Sequence, residues 1–87
     1  MKNIIISLLF LMPHLLFSQT DLKKEGLYYF QNQDYYNAVY FLEMAVDYDS
    51  TDSKLWYPLA RSYTKTNQHK KSIHFYQKVW DLSLIHI

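Results

Sequence analysis

The feature that most restricts this 87-residue chain is a match between residues 34 positions apart. Gly26 aligns with Ala60, Tyr29 with Tyr63, Asp34 with Gln68, Tyr35 with His69 and Ala38 with Ser72. Val39 then meets Ile73, Phe41 meets Phe75, Leu42 meets Tyr76 and Ala45 meets Val79. Small residues fall on small ones and bulky on bulky through one full period. A period of this length with two helical segments per unit specifies stacked helical hairpins, each burying its apolar face on the next. Nine tyrosines against one glycine and two prolines suit packed helices and do not suit disorder.

Local patterns give the same plan. Residues 21–32 read as a helix, with Leu22, Leu27 and Phe30 apolar and Lys23, Lys24 and Glu25 facing out; residues 32–34 form a polar turn. Residues 35–47 form a second helix, with Ala38, Leu42 and Ala45 at i, i+4 and i+7 and Val39 and Val46 widening the stripe. Residues 47–52 have turn chemistry, and Asp52 or Ser53 is the expected N-cap of the third helix. That helix covers residues 54–66, a turn covers 66–68, and the fourth helix runs from His69 to Trp80 or Asp81. Pro58 falls inside the third helix, where it should forfeit a backbone bond or kink the first turn. Ser72 puts a hydroxyl at a close-packed site, and the backbone of its own helix is expected to satisfy it.

Two runs carry a family resemblance. Gly26, Tyr29, Asp34-Tyr35, Ala38, Leu42 and Ala45 resemble a first tetratricopeptide repeat; Trp56, Leu59, Ala60, Tyr63, Ser72 and Tyr76 resemble a second. The family order of Trp, Leu-Gly, Tyr, Ala and an aromatic is met with Ala60 for the glycine and Ser72 for the alanine, while the closing proline is replaced by Ser50 and Leu84. The resemblance implies an all-α fold, a tetratricopeptide-like α-solenoid with repeats over residues 19–52 and 53–81. Gly26, Ala60, Ala38 and Ser72 must be small for paired helices to approach, and aromatics fill the space between hairpins.

Both chain ends depart from the repeat. Residues 1–18 have a short positive start, a 14-residue apolar run from 4 to 17 and a small residue, Ser18. That is the layout of a secretory signal peptide, and the run is short of the roughly 18–20 residues of a spanning helix. Export with cleavage after Ser18 is expected, with an uncleaved anchor as the alternative, so the membrane is met only through this segment. At the other end, Leu82-Ser83-Leu84-Ile85-His86-Ile87 resembles the translation of a transposon-end adapter used in sequencing libraries, and residues 82–87 are set aside as a non-native tail. A genuine apolar turn is the alternative. Two hairpins without a polar cap predict marginal stability, with Ile73, Tyr76 and Trp80 partly uncovered.

The absence of cysteine excludes thiolate catalysis, a lipidated cysteine and cysteine-based zinc sites. One glycine excludes a phosphate-cradling loop, and a net charge of +1 gives no basis for nucleic-acid binding. His69 and His74 lie five apart and cannot share a helix face, while Asp47-x-Asp49-x-Thr51 lacks the glycine and closing glutamate of a calcium loop. No Ser/His/Asp arrangement is supported, so the chain is read as non-catalytic, without cofactor or metal. The near-neutral total hides a segregation. Residues 19–52 set Lys23 and Lys24 against seven acids, a net of −5, and residues 53–87 set five lysines and Arg61 against Asp81, a net of +5.

The resemblance also implies where a partner would sit, because the first helix of each repeat in this family lines a concave peptide-binding face. Carried onto this chain, that face holds Lys23, Leu27 and Phe30 from the first repeat and Lys54, Tyr57, Arg61 and Lys65 from the second. The last four follow one helical face, and a cationic stripe beside an aromatic suits carboxylates or an acidic peptide. The family's carboxylate-clamp asparagines are replaced by Leu27 and Arg61. The expected function is a protein- or peptide-binding scaffold in the periplasm or cell envelope of a bacterium. The alternative is the N-terminal part of a larger envelope protein, serving secretion, gliding or peptidoglycan attachment, whose activity lies downstream.

Overall fold

The structure is a computed structural model and describes residues 18–85. The expected signal segment lies outside the described residues except for Ser18, and so do His86 and Ile87 of the tail. The fold is all-α. Helix α1 spans Gln19–Gln31 and α2 spans Tyr35–Tyr48. A 3-10 turn at Ser53–Leu55 leads directly into α3, Trp56–Lys65, and α4 spans His69–Ile85. Helix α1 packs along α2 and α3 along α4, while α2 carries α3, so two hairpins meet through a smaller seam.

Helices α1 and α2 and the 3-10 turn each begin where a side chain accepts an orphan amide hydrogen. Ser18 caps α1, its Oγ accepting from the Asp21 N–H at 3.2 Å while Asp21 Oδ2 accepts from the Ser18 N–H at 3.3 Å, a reciprocal capping box. Asp34 caps α2 by accepting from the Asn37 N–H at 3.4 Å. Asp52 caps the 3-10 turn by accepting from the Lys54 N–H at 3.2 Å.

The two hairpin turns are the same structure 34 residues apart. Gln33 and Asn67 both adopt left-handed backbone, with φ of 61° and 63°. The Asp34 N–H donates to the Tyr29 carbonyl at 2.9 Å, and the Gln68 N–H donates to the Tyr63 carbonyl at 2.8 Å. One residue earlier, Gln33 N–H donates to Phe30 O at 3.0 Å and Asn67 N–H to Thr64 O at 3.2 Å. Both are Schellman terminations, which close a helix by turning one residue left-handed.

Three boundaries differ from the sequence expectation. The third segment opens as a 3-10 turn, and regular α-helix begins only at Trp56, placing Pro58 at its third residue, where an N–H has no partner within the α-helix in any case. The proline therefore marks the change of helix type and breaks nothing. Helix α4 does not stop at Asp81 but runs through Leu82 to Ile85, because Leu82-Ser83-Leu84 contains no helix breaker and Ser83 Oγ donates back to the Val79 carbonyl at 3.2 Å. Helix α1 also starts at Gln19 and not at Asp21, since its cap is Ser18.

The core is centred on α2. Ala38, Leu42 and Ala45 are buried against α1, and they join Leu22, Val39, Leu55, Leu59 and Tyr63 in one cluster. At Gly26 the helices approach too closely for a side chain. A Cβ there would fall 2.6 Å from Leu42 Cδ2, 2.8 Å from its Cγ and 3.1 Å from its backbone nitrogen.

Two substitutions have opposite expected signs. Gly26→Ala gains about 1 kcal/mol of helix propensity but overpacks against Leu42, for a net loss of about 1–2 kcal/mol. Gln33→Gly relieves a left-handed non-glycine residue and should add about 0.5–1 kcal/mol. Urea unfolding followed by circular dichroism at 222 nm checks both; a stabilising Gly26→Ala would contradict the close approach.

Candidate functional site

The seam between hairpins decides which side chains are left for a partner. Lys23, expected on an open face, forms an ion pair with Asp52 across the seam at 2.7 Å. Both groups are partly buried, and Asp52 also caps the 3-10 turn, so Lys23 is held by the fold. Tyr63 is buried and donates its hydroxyl to Glu43 Oε1 at 2.7 Å. Lys71 approaches the same carboxylate oxygen at 3.7 Å and lies 5.6 Å from the Tyr63 ring centre. A groove of about 220 Å³ beside this cluster is lined by Glu43, Asp47, Tyr63 and Lys71, with Val46, Leu59 and Phe75 beneath.

Ser72 is satisfied differently from the sequence expectation. Its Oγ shares a hydrogen bond with Thr64 Oγ1 on the facing helix, and not with the backbone of α4. The buried Ser62 does bond within its own helix, donating to the Pro58 carbonyl at 2.7 Å. Thus Ser62 and Thr64 of α3 and Thr66 at its C-cap each have a hydroxyl partner, and no buried side-chain polar atom among the described residues lacks one.

Phe30 and Tyr57 are brought together, with ring centres 6.5 Å apart and nearly perpendicular. Phe30 also meets Tyr35 at 6.2 Å, and Tyr57 meets Tyr76 at 6.2 Å. Leu27 is half-buried and packs on the core. Tyr57, Arg61 and Lys65 occupy successive turns of α3, whereas Lys54 lies in the 3-10 turn that precedes it. Lys54 and Lys65 are exposed and Arg61 is half-exposed. None of the three forms an ion pair among the described residues. By contrast, Lys78 sits 5.1 Å from the Trp56 ring centre, and Trp56 Nε1 donates to the Ser50 carbonyl at 3.2 Å.

Other repeat-matched residues serve packing. Tyr29 stacks on Phe41 with ring centres 5.5 Å apart, Ala60 and Leu59 are fully buried, and Tyr63 lies against Phe75. One concavity these helices form was not singled out by the sequence as a site. An apolar groove of about 530 Å³ is lined by Tyr57, Ile73, Tyr76, Gln77, Val79, Trp80 and Ser83. Ile73 is 67% exposed and Trp80 62%, in line with the expectation that this side of the fourth helix is partly uncovered. The available signal was the stripe at 73, 76 and 80, which reads equally as a packing face. No helix of the described residues is long and apolar enough to cross a membrane.

Comparison with known proteins adds one local likeness. Over 49 residues the chain is 39% identical to the general transcriptional corepressor trfA of Dictyostelium discoideum, which covers 56% of this chain. The chain spans 3% of that protein's length. No family model matches the chain, and no solved structure matches it.

The Tyr63 cluster predicts a pH dependence. Burial, and then the hydrogen bond to Glu43, push the phenol pKa above its ordinary 10.0. The unfolded chain releases this proton near pH 10 while the folded chain keeps it. Stability from this group is therefore full below pH 10 and is lost as pH rises above it. Tyr63→Phe should lower stability by about 1–2 kcal/mol at pH 7. It should also flatten the alkaline fall between pH 9 and 11, measured as the difference in urea midpoint between the two proteins.

Proposed function

We propose that this chain is a non-catalytic interaction scaffold of the tetratricopeptide type, exported to a bacterial cell envelope, that holds a segment of a partner protein along α1 and α3. The observation that carries the repeat reading is the duplicated turn. Gln33 and Asn67 share one left-handed backbone conformation and one hydrogen-bond pattern at the 34-residue spacing of the side-chain match. The charged apolar leader in residues 1–18 supports export. The exposed Tyr57 and Lys65 and the half-exposed Arg61, with Phe30 beside Tyr57, support this face as the contact surface.

A second reading has its own support. The exposed apolar side of α4, with Ile73 and Trp80, has the chemistry of an interior helix face. It favours an N-terminal part of a larger envelope protein whose activity lies in a downstream domain.

A photo-crosslinking amino acid placed at Tyr57 or Arg61 in living cells should give adducts with one protein of the cell envelope, identified by mass spectrometry. The same group at Tyr36 or at His74, both exposed, should give none. Adducts formed only from Tyr36 would move the contact away from α1 and α3; adducts from His74 alone would favour the second reading. Recovery of the whole chain from the cytosolic fraction would overturn export.

A further inference from the structure

Helix α4 leaves one long side uncovered. Ile73, Trp80 and Leu84 are each more than half exposed and recur about two turns and then one turn apart, so they form a strip along the helix. Tyr76 and Tyr57 continue that strip into the apolar groove of about 530 Å³. Lys70 and Asp81, about three turns apart, lie on one flank of the strip, and both are exposed. Neither forms an ion pair among the described residues; Asp81 Oδ1 accepts from Gln77 Nε2 at 3.0 Å.

The 34-residue match shows what does not fit this strip. Within the chain, the second hairpin contributes Leu55, Leu59 and Tyr63 to the core it shares with α2, and the two leucines are almost fully buried. A second copy stacked as the next repeat would bring the residues 34 positions earlier, which are Asp21, Glu25 and Tyr29. Two carboxylates would then stand against Ile73 and Trp80 in place of two leucines, and their loss of hydration opposes that stacking.

The strip is, however, complementary to itself. In a two-fold pair of α4 helices running antiparallel, Ile73 of each copy faces Trp80 of the other. The dyad then falls beside Gln77, and Lys70 of each copy lies within a turn of Asp81 of the other. Parallel pairing would instead set lysine on lysine and aspartate on aspartate.

We propose that α4 is a self-association surface on which two copies of this chain pair antiparallel through Ile73 and Trp80, with two Lys70–Asp81 ion pairs along the flank. Leu84 belongs to the tail and is not needed for the pairing. The strip supplies the burial, whereas the ion pairs, at the rim, fix the orientation more than the affinity. One helix from each copy makes a small interface, so the dissociation constant is expected in the micromolar range. The pairing does not depend on what α1 and α3 hold, and it competes with a downstream domain for the same strip.

Sedimentation equilibrium of the full 87-residue chain at low salt, across two decades of micromolar concentration, tests the pairing. The comparison is with Lys70→Glu, Asp81→Lys and the double exchange Lys70→Glu/Asp81→Lys. The unaltered chain should show a monomer–dimer equilibrium. Each single variant sets like charges opposite and should weaken it about fivefold; the double exchange restores opposite charges and should return to within about twofold. Added salt should shrink these differences. Trp80→Ala should weaken pairing at least tenfold, with helicity at 222 nm unchanged because the side chain is exposed. The leader is the same in every variant, so association through it would not follow this pattern. Because the chain has no cysteine, disulfide trapping reads the register separately: Gln77→Cys, beside the dyad, should form a dimer on mild oxidation, and Lys70→Cys should not. A monomer at every concentration, equal association of all the charge variants, or a double exchange as weak as the single variants would overturn the pairing. So would trapping through Lys70→Cys, which reports a parallel pair. Trp80-dependent binding of a monomeric chain to phosphatidylglycerol vesicles would give the strip to a lipid surface and overturn it as well. An in-cell crosslink from His74 to a second copy of this chain would support the pairing, and its mass separates it from an adduct with another protein.

Discussion

Two helices can lie as close as α1 and α2 only where one of them has no side chain at the crossing. Gly26 supplies that point, and Leu42 fills it down to contact with its own backbone nitrogen. The close approach sets the depth at which Ala38 and Ala45 are buried on either side of Leu42. It also fixes the side of α2 left to receive the second hairpin. Val39, Glu43 and Val46 lie away from the Gly26 contact, and Glu43 and Val46 line the groove against Leu59, Tyr63 and Phe75. Were α1 pushed outward by even a methyl group, the same displacement would pull on Lys23 and its bond to Asp52, and so on the cap of the 3-10 turn.

The seam is mixed chemistry, and each part has a separate task. Leu55 and Leu59 provide non-directional burial. The Tyr63–Glu43 and Lys23–Asp52 bonds add direction, because each joins a residue of one hairpin to a residue of the other or of the connecting loop. A hydroxyl bonded to a charged carboxylate tolerates little angular slip, and losing it leaves a partly buried charge with only Lys71 nearby. Of the charges segregated between the two halves, Lys71 and Glu43 approach across the seam at 3.7 Å, but most of the charge stays in water and contributes little.

Much of the helical plan was legible in the sequence, for identifiable reasons. The buried stripe of α2 follows from the spacing of Ala38, Leu42 and Ala45, and the role of Gly26 from its match with Ala60. Asp52 as a cap was readable from turn chemistry. What escaped was whatever depends on three dimensions. Ser72 could not be assigned to Thr64, eight residues away on a different helix, because a local backbone acceptor was equally reasonable. Lys23 looked free because its partner lies 29 positions along the chain. The switch from 3-10 turn to α-helix at Trp56 reconciles Pro58 with an unbroken hairpin, a solution that propensity alone does not specify. The end of α4 was misplaced because a change of composition at Leu82 is not a helix stop: stops need glycine, proline or an unfavourable cap, and none is present.

The candidate face was legible in part. Sequence spacing places Tyr57, Arg61 and Lys65 on one side of a helix, but it counts Lys54 as a fourth member and Lys23 as a neighbour. The fold removes Lys23 by pairing it with Asp52 and places Lys54 in the 3-10 turn that precedes α3. What remains on α3 itself is a row of one tyrosine and two cations with no ion pair among the described residues. A diffuse patch attracts any anion, and its selectivity vanishes in salt. Pairing Lys23 and Lys71 at the seam sets them apart from Lys54, Arg61, Lys65 and Lys70, which form no ion pair among the described residues.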